Sequence, residues 1–255
     1  MASGPFSTWR AALVWVIWVA SNSADRASAP VIKTAKIIAK RARILFFSPC
    51  GLCPVCPQRQ HSDDGRNRIG LSRCKGVSRI LDSERLRLVD FSTAHLDDFA
   101  AMNADPDVME FFPAVLSREA SAAMLHRLIE HRRRHGFSLF ALHLKSDNRF
   151  VGFTGILRAD FVAHFTPAVE IGWRLAKFAW GQGLAHEAAR ACLPYGFDDL
   201  GLAEIVSFTA AINKRSMRVM EKIGMQHDPA DDFDHPNLAA GDPLCRHVLY
   251  RLRRA

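Results

Sequence analysis

The segment Trp180-Gly181-Gln182-Gly183-Leu184-Ala185-His186-Glu187-Ala188 follows an apolar run, Ala168 to Leu175, and leads into a stretch of helix-forming residues. Two glycines at that spacing let the backbone turn tightly, and let its N–H groups approach a ligand with no Cβ in the way. The first-turn amides of the helix that follows, together with its dipole, favour an anion. A diphosphate is the natural guest. About thirty residues on stand Asn213-Lys214-Arg215-Ser216 and then Val219-Met220-Glu221-Lys222-Ile223-Gly224-Met225. Asn213 suits a helix N-cap, and Ser216 falls one turn further along on the same face. Within the run Ala168 to Leu175, AVEIGWRL, one carboxylate interrupts the apolar pattern: Glu170. Two readings follow. Turned into a cleft, Glu170 holds its proton at higher pH than usual; turned outward, it is a solvated strand residue paired with Arg174.

The elements that must position these residues are legible from Ser83 onward. Leu86, Leu88 and Phe91 alternate loosely with Arg85, Arg87 and Asp90, which predicts a strand. Ser92-Thr93 offers a helix cap before Leu96, Phe99, Ala100 and Met102 at helical spacing. After the turn Asp105-Pro106-Asp107, Ser117 starts a long helix with Glu119 in its first turn. Met124, Leu125, Leu128 and Ile129 form its apolar stripe, and residues 131–136 end it at Gly136. Strands are predicted over 137–144, 150–157 and 168–175, a helix over 185–197, a strand over 204–209, a helix over 214–223 and a last strand over 247–252. The order β, α, α, β, β, β, α, β, α, β predicts a mixed α/β sheet with helices on both faces, not a repeat array or a bundle.

Charge divides the chain in two. Residues 1–80 hold 13 Lys/Arg against 3 Asp/Glu, whereas the remainder holds 21 against 23. The net +8 therefore describes neither part. Residues 1–80 read as a basic extension, either disordered or upstream sequence from a misassigned start, with residues 83–255 as the catalytic domain. A basic extension can attract RNA, DNA or anionic lipid without sequence preference, but the domain has no such bias, and no specific nucleic-acid partner is expected. Residues 10–29 have the outline of a secretory signal: Arg10, a short apolar segment and Ala27-Ser28-Ala29. Ten apolar residues fall short of the roughly twenty that span a bilayer. Cys50, Cys53, Cys56 and Cys74 have spacing compatible with a metal or iron–sulfur site, or belong to a Cys/Pro-rich linker with free thiols. In the domain, Cys192 and Cys245 are widely separated, which suits a reducing cytoplasm. The oligomeric state is left as monomer or homodimer.

The glycine loop, AVEIGWRL and the segment 213–225 together resemble the GCN5-related N-acetyltransferase (GNAT) superfamily, and within it the RimJ/RimL-like ribosomal-protein N-terminal acetyltransferases. The likeness covers roughly residues 84–255, including Glu84-Arg85-Leu86-Arg87-Leu88 and Asp105-Pro106-Asp107-Val108-Met109. The resemblance implies a central, mostly antiparallel sheet flanked by helices. It also implies acetyl-CoA as donor, no metal, and a primary amine, on a protein N-terminus or a small molecule, as acceptor. The superfamily loop falls on Trp180 to Ala185, so the amides of Gln182, Gly183, Leu184, Ala185 and His186 are expected to hold the pyrophosphate. Trp180 stands where Gln or Arg is usual, and His186 where Ser or Thr is frequent, so His186 is either a phosphate contact or an ordinary histidine. Asn213 matches a cofactor-contacting asparagine, Ser216 a hydroxyl near the thioester sulfur, and the amides of Ile171 and Gly172 the acetyl anchors. Glu170 and Ser216 are thus the expected catalytic residues. Many relatives carry a Tyr general acid where this chain has Met220, and a thioether cannot donate a proton. That leaves Ser216, a water, or unaided departure of the thiolate. Tyr195 and Tyr250 are expected to pack. Phe111-Phe112-Pro113 and Asp231-Asp232-Phe233-Asp234-His235 are expected to rim the acceptor entrance, the acidic cluster attracting a cationic amine or forming a solvated loop.

Two other functions compete. Gly181-x-Gly183 begins a dinucleotide fingerprint, but its third position falls on His186, and the following strand ends without an acid for a ribose. A catalytically weak acetyl-CoA-binding module, recruited to RNA or ribosomes by the basic extension, is the non-enzymatic alternative.

Overall fold

The computed structural model describes residues 80–254, so the signal-like segment, the four extension cysteines and the basic leader lie outside the described residues. Chain order begins with two strands, β1 (Ile80–Asp82) and β2 (Leu86–Asp90), and two helices, α1 (Leu96–Asn103) and α2 (Arg118–His135). Strands β3 (Leu139–Leu144), β4 (Phe150–Ala159) and β5 (Ala168–Leu175) follow, then α3 (Leu184–Pro194), β6 (Glu204–Ala210) and α4 (Lys214–Lys222). Two-residue strands β7 (Gln226–His227) and β8 (Phe233–Asp234) precede β9 (Arg246–Arg253). One sheet runs β1-β2-β3-β4-β5-β6-β9-β7, with β8 on β9. Its pairings are antiparallel except for β5 with β6.

Sequence reading and structure differ where local chemistry overrides periodicity. α1 starts at Leu96 because Thr93–His95 forms a tighter turn, in which the Ser92 N–H donates to His95 Nδ1 at 3.0 Å. α2 starts as expected, with the Ser117 hydroxyl accepting the Ala120 N–H at 3.1 Å. α3 stops at Pro194, and the chain continues in a wider turn closed by the Leu200 N–H on the Tyr195 carbonyl. β1, β7 and β8 are too short for a two-residue period to register.

Alternation along the strands sorts the core into two layers. Phe140 and Leu142 of β3 face α3, joining Leu86, Leu88, Ile156, Ile171, Leu184, Ala188 and Cys192. Leu139 and Ala141 face α1 and α2, joining Phe99, Met102, Leu125, Leu128, Phe150 and Phe153. Each Leu, Ile, Phe or Met side chain among them, taken fully out of water, contributes roughly 1.5–3 kcal/mol. A third cluster, around Phe161, Val206, Phe233 and Leu249, packs beside β6 and β9. Among the described residues no helix is long and apolar enough to cross a membrane.

The β3–β4 register shifts between Leu142 and His143, so β4 carries one extra residue there. Gly152, beside that bulge, has φ +136°, and a Cβ on it would stand 2.2 Å from the Arg174 carbonyl oxygen. The backbones of β4 and β5 approach too closely for any side chain. Gly152→Ala is therefore expected to destabilise the protein by at least about 2 kcal/mol, combining overpacking with an unfavourable φ. Urea denaturation measures it, and an unchanged midpoint would contradict this account.

Candidate active site

Gly181 and Gly183 lie in left-handed conformations, φ +74° and +77°, and both are exposed. No atom other than the tip of Arg85, at 3.8 Å, comes within 4 Å of a Cβ built on either, so space beside the loop is open. The first helical bond of α3 is the Glu187 N–H to the Gly183 carbonyl, 3.1 Å. The amides of Leu184, Ala185 and His186 thus precede the helical ladder and face out of the helix mouth. Leu184 is buried and anchors the turn in the core, whereas Ala185 and His186 are half-buried. Gln182 steadies the loop from inside, its Nε2 donating to the Phe178 carbonyl at 2.8 Å. Trp180 donates its indole N–H to the Leu175 carbonyl at 2.8 Å.

Sequence reading passed over the fixture that sets the height of this mouth. The Glu187 carboxylate accepts from the Ser83 hydroxyl, the Arg85 backbone N–H and Arg85 Nε, all at 2.7 Å. It ties the first turn of α3 to the β1–β2 turn. The i, i+3 placement of Glu in a helix opened by glycines was visible, but its partner about a hundred residues upstream carried no local signal.

β5 and β6 pair where Glu170 stands opposite Val206. A strand residue turns its N–H and C=O toward the same neighbour, and successive residues alternate. Gly172 is turned toward β4: it pairs with Gly155, and its carbonyl accepts the Thr154 hydroxyl at 3.0 Å. Ile171 is turned toward β6, where the Ser207 hydroxyl donates to its carbonyl at 2.9 Å. The next backbone turned that way belongs to Trp173, beyond the paired position. Of the two amides expected from β5, that of Ile171 is turned toward β6 at the paired position and that of Gly172 toward β4; the first backbone turned toward the gap beyond the pairing is that of Trp173.

Glu170 lies on the sheet face shared with α1 and α2, because its cross-strand partner Leu157 packs into that layer. The residue is half-buried, and burial is the main cause that pushes its carboxyl up to about 8, reinforced by the negative charge of Asp160. The outward, Arg174-paired alternative is not what the structure holds. Arg174 instead donates to Asn103 Oδ1 at 2.6 Å and lies over Phe112, 3.9 Å from its centroid.

The acidic run near the C-terminus is committed to other partners, as in the second of its two expected readings. Asp231 accepts from Arg251 at 2.7 Å and faces His164 at 3.4 Å, Asp232 meets His227 at 2.7 Å, and Asp234 faces Arg246 at 3.4 Å. Phe233 and His235 turn inward and are buried.

On α4, Asn213 caps the helix by accepting the Ser216 N–H at 3.1 Å, and its amide donates to the Thr209 hydroxyl at 3.0 Å. Ser216 is half-buried, whereas Met220 is wholly enclosed. Tyr195 and Tyr250 are packed, their hydroxyls engaged with the Gly136 carbonyl and Glu221. Arg215 pairs with Glu110 and sits 4.5 Å from the Trp180 ring, bringing the α1–α2 connection against the loop. A shallow cavity of about 550 Å³, lined by Met102, Val108, Arg149, Phe150 and Phe178, contains none of the expected site residues.

Comparison with known proteins agrees with this geometry. Residues 85–226 match the family described as the acetyltransferase (GNAT) domain. A Bacillus subtilis protein, YkkB, is 33% identical over 149 residues, 58% of this chain and 84% of its own. The FsC-acetyl coenzyme A-N(2)-transacetylase of Aspergillus fumigatus is 30% identical over 156 residues, 58% of this chain and 65% of its own. An acetyltransferase (GNAT family) structure from Bacillus anthracis superposes with a TM-score of 0.56 at 27% identity, covering 69% of this chain and 98% of that one.

The raised Glu170 pKa has a consequence for stability. The folded protein keeps the proton up to about pH 8, while the unfolded chain releases it near 4.5. The fold is therefore increasingly penalised as pH climbs between those values. Glu170→Gln carries no such penalty, so its melting temperature relative to wild type is expected to rise from pH 5 to pH 8. A difference independent of pH in thermal melts would contradict the assignment.

Proposed function

The chain belongs to the GNAT acetyltransferase family, and from that premise we propose that it transfers acetyl from acetyl-CoA to a primary amine, on a protein N-terminus or a small molecule, by direct attack in a ternary complex. The observation that carries this reading is the half-buried Glu170 carboxyl, placed where β5 and β6 separate. The reaction forms a C–N bond, breaks the C–S bond of the thioester, and requires the amine to lose a proton. Glu170 takes that proton, directly or through a water, because a carboxyl titrating near 8 is a matched base at neutral to mildly alkaline pH.

The amides at the mouth of α3 hold the pyrophosphate, and the Trp173 backbone, beyond the paired position, faces the acyl arm along the strand gap. Asn213 fixes the start of α4, which sets Ser216 facing the departing sulfur; Ser216 is the hydroxyl we assign to protonate it. Met220 is excluded by chemistry and by enclosure. Direct transfer fits the cysteines of the domain: Cys192 and Cys245 are buried, and burial pushes the Cys192 thiol up to about 12. A thiol held that high is not a thiolate at neutral pH and does not carry acetyl as an intermediate.

Thiol release from acetyl-CoA across a panel of amines tests the reading, and release no faster than hydrolysis with every amine would overturn it. With a weakly basic acceptor, whose own titration falls below the window, kcat/KM is expected to climb with pH through about 8. Glu170→Gln is expected to remove that limb and to lower kcat/KM by about 10²–10⁴. Gly183→Val, which crowds the helix mouth and strains a φ of +77°, is expected to weaken acetyl-CoA at least about tenfold in calorimetry, with a modest loss of fold stability.

A further inference from the structure

One buried cation takes no part in the proposed reaction. Arg174 is 7% exposed on β5, and no carboxylate among the described residues pairs with it. Its Nη1 donates to Asn103 Oδ1, itself wholly buried, while its Nε has no partner. Phe112 and Phe153 lie against the guanidinium with centroids at 3.9 and 5.3 Å. Stacking covers the faces of a guanidinium, but its hydrogen bonds leave from the edge, and the Nε donor is left unfilled in that plane. An unpaired charge at such depth is costly unless something bonded to it completes the set. Burial alone pulls Arg174 down to about 9, which still leaves it charged at neutral pH.

Position adds direction. Glu170, Gly172 and Arg174 share one face of β5, since Leu157 and Phe153, their cross-strand partners, both border the α1–α2 layer. Between the two ionisable groups stands Gly172, where a built Cβ would meet nothing within 4 Å. The acceptor face is therefore open in its middle, with the proton-holding Glu170 carboxyl beside Asp160 at one end and a cation at the other.

We propose that Arg174 reads an anionic group on the acceptor, so that the amine acetylated here also carries a carboxylate or phosphate at a distance from its amino group. This rests on the acetyl-transfer reading and names its substrate class. Amine and anion lie along the strand between residues 170 and 174, whose backbones are about 13 Å apart. Guanidinium binds both anions through paired N–H bonds.

The test measures kcat/KM for ω-amino carboxylates of increasing length, the matching carboxamides, and aminoalkyl phosphates. Wild type is expected to favour an anionic member over its neutral partner by about 10–100-fold, the range of a charge-assisted hydrogen bond. Which anion gives the larger ratio separates carboxylate from phosphate recognition. In Arg174→Met, whose stem fills the same space between the two rings, the ratio is expected to fall to near one. Turnover of the neutral amines and the acetyl-CoA thermal shift stay unchanged, and Arg174→Lys recovers part of the preference. Equal rates for anionic and neutral amines in wild type, or a preference that survives Arg174→Met, would overturn the proposal and leave acetyl transfer standing. Loss of the fold in both variants would assign Arg174 to the scaffold and overturn it too. No turnover of any amine by wild type would instead sink the acetyl-transfer reading.

Discussion

Two parallel strands that pair at one position and then part are the constraint on which the rest of this molecule depends. Backbone N–H and C=O groups inside a protein need partners, and a sheet normally supplies them. Past Glu170 and Val206, β5 and β6 withdraw that supply from each other. The opening persists because each strand is held from its far side: β5 pairs with β4 over its whole length, and β6 with β9 from Glu204 to Ala210. The Ser207 hydroxyl satisfies the Ile171 carbonyl at the fork. What remains beyond that position is a gap between two strands that are otherwise held from their outer sides.

The same fork explains why a carboxyl there behaves unlike a surface glutamate. Glu170 stands at the last paired position, with the wall of the α1–α2 layer on its own face. Burial raises the cost of its ionised form, and the neighbouring Asp160 charge adds to that cost. Arg174, the cation that might have neutralised it, is diverted to Asn103 and Phe112. A salt bridge between the two would have held Glu170 ionised and cost it the affinity for a proton that a base requires.

Much of this was legible in the residues. The glycine loop, the strand AVEIGWRL, the Ser117 and Asn213 caps and the Gly136 stop are local signals, each set by a few neighbouring side chains, and each appears where the spacing places it. Other features depend on partners far along the chain. Which amides of β5 face the gap follows from its registers with β4 and β6, and a one-residue change of register exchanges Gly172 for Trp173. The acidic run at 231–234 looked available because Arg251, Arg246, His227 and His164 carry no mark in sequence of where they fold. The strand β1, three residues long, lies upstream of residue 83, where the domain was expected to begin.

That short strand and the turn after it bear on how the helix mouth could be retuned. One carboxylate, Glu187, gathers three donors from Ser83 and Arg85 and so fastens a loop deep in the chain to the very first turn of the described domain. A fusion junction, a proteolytic nick or an added peptide placed between residues 80 and 85 would therefore act at a distance on the anion cradle, as a screw turned at the hinge moves the door.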